Sequence, residues 1–237
     1  MVFNSLTFVV FFAIVLLLHN LPLPWSVKKF NLLAASYLFY AAWNPPFVLL
    51  LWTSTIVDWL VARQIYRQVT DGRRKAWLVV SLGLNLGFLG FFKYGNFALQ
   101  NWQTLMSALG VYYRPPNWNI LLPVGISFYT FHSLSYTLDI YWRRAKPIPK
   151  LFDFALFVGF FTQLVAGPIL RISDLVPQFK RPRTATRDKL CWGLALMTFG
   201  LFEKVVLADG AFAPAADAVF GPRLRSLQNN PETGENQ

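Results

Sequence analysis

Residues 121–142 restrict the fold more than any other stretch, because they are long enough to cross a bilayer and yet include a histidine and a carboxylate. About 20 mostly apolar residues form a membrane-spanning helix, and Pro123 suits its first turn. At about 100° per residue, one stripe of this helix would carry Gly125, Phe128, His132, Ser135, Asp139 and Trp142. Ionisable groups at membrane depth are costly unless protein or water meets them. The stripe is therefore predicted to face the inside of a helical bundle.

The composition indicates a membrane protein with several crossings. Hydrophobic residues make up 55% of the chain and charged residues only 14%, which is typical of polytopic membrane proteins. The net charge of +11 comes from short basic blocks between apolar runs, so it predicts cytoplasmic loops and no nucleic-acid partner. A single cysteine excludes a cysteine-based metal cluster, and we expect no metal site. The first apolar run lacks a cleavage site and is expected to be retained.

The apolar segments predict an all-α transmembrane bundle with about six to seven membrane segments. Residues 97–109 alternate apolar with polar side chains and are expected to lie along the interface. A membrane-embedded region is predicted for residues 1–220 as one domain, followed by a polar, disordered tail at 221–237. The segments themselves are 3–23, 30–43, 47–62, 76–92, 120–142, 151–170 and 190–207.

Basic residues set the expected orientation. They follow the first, third and fifth segments, which predicts an extracytoplasmic N-terminus. If the segments simply alternate in direction, the loop at 171–189 lies outside the cell. This loop is rich in basic residues, however, and such loops remain in the cytoplasm. We resolve this by predicting that residues 151–170 enter from the cytoplasmic side and return to it, with a break near Ala166, Gly167 and Pro168. The alternative is a normal crossing and an exception to the charge rule.

Two groups of residues could carry chemistry. His132 could exchange protons, although a buried histidine more often hydrogen-bonds a neighbour, here Ser135. Gly167, Pro168 and Arg171 could present backbone amides and a guanidinium to an anionic ligand such as a phosphate or CoA, or could form a broken helix with a snorkelling arginine.

Further charges lie within apolar segments. Asp58, Glu203 and Lys204 are each a functional hypothesis by default, but structural pairing is the commoner explanation. Glu203 and Lys204 point in different directions on a helix, so their expected partners lie elsewhere, at Asp58 or Lys93.

Three motifs carry a resemblance to a known family. They are KYGNF at 93–97, LLPVGISFYTFHSLSYTLDIYWR at 121–143 and FVGFFTQLVAGPILR at 157–171. With them, the chain resembles the membrane-bound O-acyltransferases, or MBOATs, and within that family the alginate O-acetyltransferase branch. The opening MVFNSLTFVVFF and the run NLLAASYLFYAAWNPPF match that branch too.

The resemblance implies a bacterial inner-membrane enzyme that transfers an acyl group from a cytoplasmic donor such as acetyl-CoA to an exported polysaccharide. It implies no bound cofactor, and periplasmic acyltransferase proteins as partners beside the lipid bilayer. On this hypothesis the polar stripe and the broken helix would line the acyl tunnel, and the tunnel-lining candidates are His132, Ser135, Asp139, Gly167, Pro168 and Arg171.

The chain departs from the family pattern at its catalytic histidine. That histidine belongs to a Trp-His-Gly-like stretch expected downstream of residue 237, and His132 lies in a different motif. No catalytic residue is therefore assigned, and the chain alone is expected to be inactive. A second hypothesis is a transporter or scaffold in which Asp58, His132 and Asp139 form a proton path.

Overall fold

The chain is all-α, as predicted. The structure is a computed structural model that describes residues 3, 5–111, 120–164, 167, 170–180, 182 and 186–228, with residues 221–228 as backbone only. No strand occurs in these ranges. The α-helices are α1 (Leu6–Asn20), α2 (Trp25–Ala41), α3 (Pro46–Arg67), α4 (Asp71–Ala108), α5 (Ile126–Tyr141), α6 (Leu151–Gly159), α7 (Phe161–Leu164), α8 (Ile172–Lys180), α9 (Arg187–Phe202) and α10 (Ala213–Gln228), with a π-helix at Glu203–Phe212 between α9 and α10.

The chain divides into two compact units, where the sequence suggested a single domain. Unit 1 holds Phe11–Arg183, and unit 2 holds Val2–Val10 with Thr184–Gln237. Among the described residues, three helical runs are long and apolar enough to cross a membrane: Pro46–Arg67 and Asp71–Ala108 in unit 1, and Arg187–Phe220 in unit 2. The protein is therefore a membrane protein built from helices.

Two predicted segment boundaries are wrong. α4 continues without a break to Ala108, so residues 97–108 extend this helix and do not form a separate interfacial segment. At ~1.5 Å per residue its 38 residues span about 57 Å, well beyond the ~30 Å hydrocarbon core. α5 begins at Ile126, after Gly125 in a left-handed conformation with φ 76°. Pro123 therefore precedes the helix and does not lie in its first turn.

A buried polar cluster joins the three central helices of unit 1. α3, α4 and α5 pack against one another, and Asp58 of α3 is fully buried at their centre. Its carboxylate accepts hydrogen bonds from Ser81 Oγ at 2.7 Å and from Asn85 Nδ2 at 2.8 and 3.0 Å. Both donors lie on α4, so the cluster ties α3 to α4 by neutral groups.

The expected distant partner of Lys204 is wrong. Lys204 pairs with Asp209, five residues away, at 2.5 Å. A π-helix places residues i and i+5 in register, and both residues lie within Glu203–Phe212. The pairing therefore follows from a local change of helix type within unit 2, which the sequence pattern did not reveal.

Basic side chains gather at one end of unit 1, called here the basic end. Arg143 donates to the backbone oxygens of Tyr66 and Gln68, which joins the C-terminal ends of α3 and α5. Arg74 donates to the backbone oxygen of Tyr141, which adds the N-terminal end of α4. The basic end is defined by Lys29, Arg74, Arg143, Arg144, Arg171 and Lys180.

The interrupted segment α6–α8 begins and ends at the basic end. At its start, Asp153 of α6 pairs with Lys29 of α2 at 2.5 Å. At its finish, the backbone oxygen of Phe179 in α8 accepts a hydrogen bond from Trp25 of α2 at 2.8 Å. A hairpin that enters and leaves on the same side has this arrangement. α6 has only nine residues, or about 13 Å, which is too short to cross a bilayer.

The helix breaks earlier than the sequence suggested. α6 ends at Gly159, and Phe160 is extended with ψ 121°. The freed backbone N–H of Phe161 donates to Ser36 Oγ of α2 at 3.2 Å, which meets the requirement that broken backbone at membrane depth finds a protein partner.

In unit 2, the helical run from Arg187 exposes its apolar surface. Thr186 caps α9 by accepting from the backbone N–H of Lys189 at 3.5 Å, and α9 and the π-helix contain no buried residue. An apolar surface of this kind suits contact with lipid. α10 extends to Gln228, so the beginning of the predicted 221–237 tail is helical; residues 229–237 lie outside the described residues, and their disorder stays a prediction.

Candidate functional site

α5 carries three of the candidate site residues: His132, Ser135 and Asp139. Its buried face is rotated from the predicted stripe. The buried side chains include Tyr129, Ser133, Tyr136 and Ile140, at helical spacings of three and four. His132 lies at the edge of this face and is 2% exposed, whereas Trp142 is 52% exposed. The prediction that the stripe faces inward thus holds for His132 and is wrong for Trp142.

His132 lies deep in unit 1 among apolar and backbone groups. Its ring packs edge-on against Phe157 of α6, with centroids 5.2 Å apart, and interacts with the backbone of Leu170. Within the described residues its Nε2 has no hydrogen-bond partner. Ser135 does not satisfy it, because the serine hydroxyl donates to the backbone oxygen of His132 at 2.9 Å. The expected Ser135–imidazole hydrogen bond is therefore absent from this part of the chain.

Asp139 and Arg171, far apart in sequence, meet in one cleft at the basic end. The cleft has a volume of about 610 Å³. One wall comes from the end of α5 and the loop after it, and the other from Arg171 and α8. Its charged lining residues are Asp139, Arg144, Lys146, Arg171 and Lys180.

The cleft is suited to a phosphate-bearing ligand. Arginine and lysine outnumber the single carboxylate in its lining, and both bind phosphate oxygens through charge-assisted hydrogen bonds. Arg144, Arg171 and Lys180 are exposed, so a ligand from solution can reach them. Apolar lining from Ile148, Ile172 and Val176 would accommodate a less polar part of the same molecule.

Gly167 is needed for close packing at the hairpin. A Cβ at this position would lie 2.2 Å from the Cα of Gln163, so no other residue fits without moving the backbone. Pro168 lies outside the described residues, and its role stays a prediction. Of the tunnel-lining candidates, the structure thus brings Asp139 and Arg171 into the cleft and leaves His132 in the interior.

The three residues of the second hypothesis are not joined by direct hydrogen bonds. Within the ranges the structure describes, Asp58, His132 and Asp139 share no hydrogen bond; Asp58 bonds to Ser81 and Asn85 instead.

Sequence reasoning missed several buried polar groups near His132. The hydroxyls of Tyr40 and Tyr129 and the side-chain amide of Gln163 are buried and lack hydrogen-bond partners among the described residues. Gln163 stood inside the motif FVGFFTQLVAGPILR, as a polar side chain in an otherwise apolar run. The tyrosines gave no comparable signal, because tyrosine is common in apolar helices.

Comparison with known proteins finds similarity to bacterial proteins named for O-acetylation. It is 38% identical, over 99% of its length, to proteins named probable alginate O-acetylase AlgI from Pseudomonas aeruginosa and Pseudomonas putida. It is 33% identical, over 76% of its length, to a peptidoglycan O-acetyltransferase from Helicobacter pylori. No protein-family model and no solved structure matches.

The chain spans about half the length of these relatives. It covers 44% of the Pseudomonas aeruginosa protein, 47% of the Pseudomonas putida protein and 38% of the Helicobacter pylori protein. The shared region includes the helices that form the cleft and the buried histidine.

Proposed function

Because the chain belongs to the alginate O-acetylase branch of the membrane-bound O-acyltransferases, we propose that it functions in the O-acetylation of an exported polysaccharide. The observation that carries the proposal is near-complete coverage of the chain by relatives named for alginate and peptidoglycan O-acetylation. Both names describe transfer of an acetyl group to a bacterial polysaccharide, so this reaction class is the part common to the relatives.

The basic end supports a cytoplasmic acetyl donor. Loops rich in lysine and arginine remain in the cytoplasm, so we place the basic end there, in a bacterial inner membrane and with the N-terminus outside. The cleft then opens where acetyl-CoA is available, and Arg144, Arg171 and Lys180 would bind its phosphates. The acetyl group would pass to the opposite side, where periplasmic acyltransferase partners and the polysaccharide are expected.

Loss of acetylation in living cells tests the reaction. Deletion of the gene in its host should abolish ester-linked acetate on an exported polysaccharide, and restoration of the gene should recover it. Alkaline release of acetate from the purified polymer measures the outcome. An unchanged acetate content in the deletion strain would reject the function.

Charge removal in the cleft tests the donor site. Arg171→Ala and Lys180→Ala should each raise the KM for acetyl-CoA by about three- to tenfold with little change in kcat, since each removes one exposed charge-assisted contact. Lys150→Ala is the matched control, because this exposed lysine lies at the same end but outside the cleft lining. Equal KM values for all three variants would assign the donor to another site.

A further inference from the structure

Several side chains in the interior of unit 1 have a buried polar atom without a hydrogen-bond partner among the described residues, and four of them lie on three helices that meet. Tyr40 is on α2, Tyr129 and His132 are on α5, and Gln163 is on α7. α7 contacts both α2 and α5. Each of the four side chains is at most 3% exposed. The four side chains therefore belong to the packed interior of three contacting helices.

The buried polar atoms of these four side chains lower the stability of the fold as long as they lack hydrogen-bond partners. Within the described residues, the hydroxyls of Tyr40 and Tyr129, Nε2 of His132 and both amide atoms of Gln163 lack hydrogen-bond partners. The ring of Phe157 lies against His132 and cannot replace water as a hydrogen-bond partner. A buried polar atom without a partner destabilises a fold, and a bound water or ligand is one of the explanations for such an atom.

The chemistry of the set defines that guest. Tyrosine hydroxyls and an amide both donate and accept hydrogen bonds, and the set includes no carboxylate, lysine or arginine. It would therefore favour a small neutral group over a phosphate. Gln163 precedes Arg171, which lines the cleft, by eight residues in the sequence.

We propose that Tyr40, Tyr129, His132 and Gln163 form an internal polar site that binds a small neutral hydrogen-bonding group, either the carbonyl of a transferred acetyl group or water. The acetyl assignment rests on the proposed function, whereas the existence of the site does not. Tyr129 and Gln163 would donate hydrogen bonds to the carbonyl oxygen. The phosphates of the donor would remain bound to the basic residues of the cleft.

Substitutions that remove only the polar atoms test the site. Tyr129→Phe and Gln163→Leu should leave the midpoint of thermal unfolding of the protein purified from its host unchanged or raised. Both variants should lower acetyl transfer by about three- to tenfold, because each removes a hydrogen bond to the guest. Tyr136→Phe is the matched control, since the Tyr136 hydroxyl accepts from the backbone N–H of Ile148 at 3.2 Å. Its loss should lower the midpoint by about 2–8 °C.

One result would overturn the site. If Tyr129→Phe and Gln163→Leu lower the midpoint as much as Tyr136→Phe does, their polar atoms have structural partners. If both variants transfer acetyl at the rate of the unsubstituted protein, the acetyl assignment is wrong and the site holds water. If the unsubstituted protein itself transfers no acetyl group, the proposed function fails, and the unfolding midpoints still decide whether the site exists.

Radiolytic labelling in heavy-oxygen water separates the two guests. Tyr129 should incorporate heavy oxygen in the donor-free protein, because water then occupies the site. Suppression of that label by acetyl-CoA, added without polysaccharide, assigns the site to the acetyl carbonyl, and persistence of the label assigns it to water. Absence of label at Tyr129 in the donor-free protein would refute the site.

Discussion

Asp58 shows how a carboxylate can lie inside this protein without a cation beside it. It is fully buried. One carboxylate oxygen accepts a hydrogen bond from Ser81 Oγ, and both oxygens accept from Asn85 Nδ2. Ser54 adds a second contact to Asn85 at 3.1 Å. Burial of a polar or charged group is tolerable only when such partners are present. The cluster is therefore strongly coupled, and removal of one member should affect the others.

Loss of the Asn85 amide should destabilise the protein. Asn85→Leu is expected to lower the free energy of unfolding by about 1–3 kcal/mol, because the carboxylate loses its two amide hydrogen bonds. A denaturant titration in detergent measures the change. Asn101→Leu is the control on the same helix, since Asn101 is exposed and bonds only to its own turn. In addition, Asp58→Leu combined with Asn85→Leu should cost less than the sum of the single changes.

Equal losses for Asn85→Leu and Asn101→Leu would contradict the coupling, as would strict additivity of the double variant. Either result would mean that water or another group replaces the amide.

At the scale of helices, the basic residues have a second role. The sequence suggested that Arg143 and its neighbours set orientation. In the structure, Arg143 also caps α3, because its guanidinium donates to the backbone oxygens of Tyr66 at 2.8 Å and Gln68 at 3.1 Å and stacks on the Tyr66 ring. Cations at helix C-termini are favourable. Arg143 performs this role from a left-handed backbone conformation, with φ 60°.

The backbone conformation of Arg143 predicts an unusual order of stability. Arg143→Ala should lose the cap and retain the left-handed strain, whereas Arg143→Gly should lose the cap and relieve the strain. We expect Arg143→Gly to be more stable than Arg143→Ala by about 1 kcal/mol. Thermal unfolding of both variants in detergent tests this. Arg144→Ala, which removes an exposed guanidinium in the cleft, should match the unsubstituted protein. The reverse order of the Ala and Gly variants would show that the strain is not significant.

For the whole molecule, the hairpin α6–α8 determines on which side of the membrane the end of α8 lies. Asp153 near its start and Phe179 near its end both contact α2 at the basic end. A crossing would instead separate its ends by the thickness of the bilayer. A hairpin and a crossing therefore place the end of α8 on opposite sides of the membrane.

Cysteine labelling in spheroplasts distinguishes these arrangements. In a Cys191→Ser background, Lys150→Cys and Gln178→Cys should both resist an impermeant thiol reagent until the membrane is opened, because both flank the hairpin at the basic end. Ala42→Cys, at the other end of α2, should react at once and serves as the control. Reaction of Gln178→Cys but not of Lys150→Cys before the membrane is opened would establish a crossing.

The sequence predicted the helical class, because apolar length is a local signal. It predicted a break in 151–170 near Gly167, whereas α6 already ends at Gly159. It also indicated that His132 is buried. It could not predict that Asp139 and Arg171 share a cleft, since their meeting depends on the packing of α8 beside the end of α5. Nor could it predict the Lys204–Asp209 pair, which depends on a change to π-helix. Long-range packing and local helix type both lie outside what hydrophobic periodicity reports.

Two indole hydrogen bonds fix the width of the cleft. Trp25 of α2 donates to the backbone oxygen of Phe179 behind one wall, and Trp59 of α3 donates to the backbone oxygen of Ile148 in the other wall at 2.9 Å. Neither wall can shift alone without breaking an indole bond. The aperture therefore follows the separation of α2 and α3, so a movement of these helices would widen or narrow the entrance as a single unit.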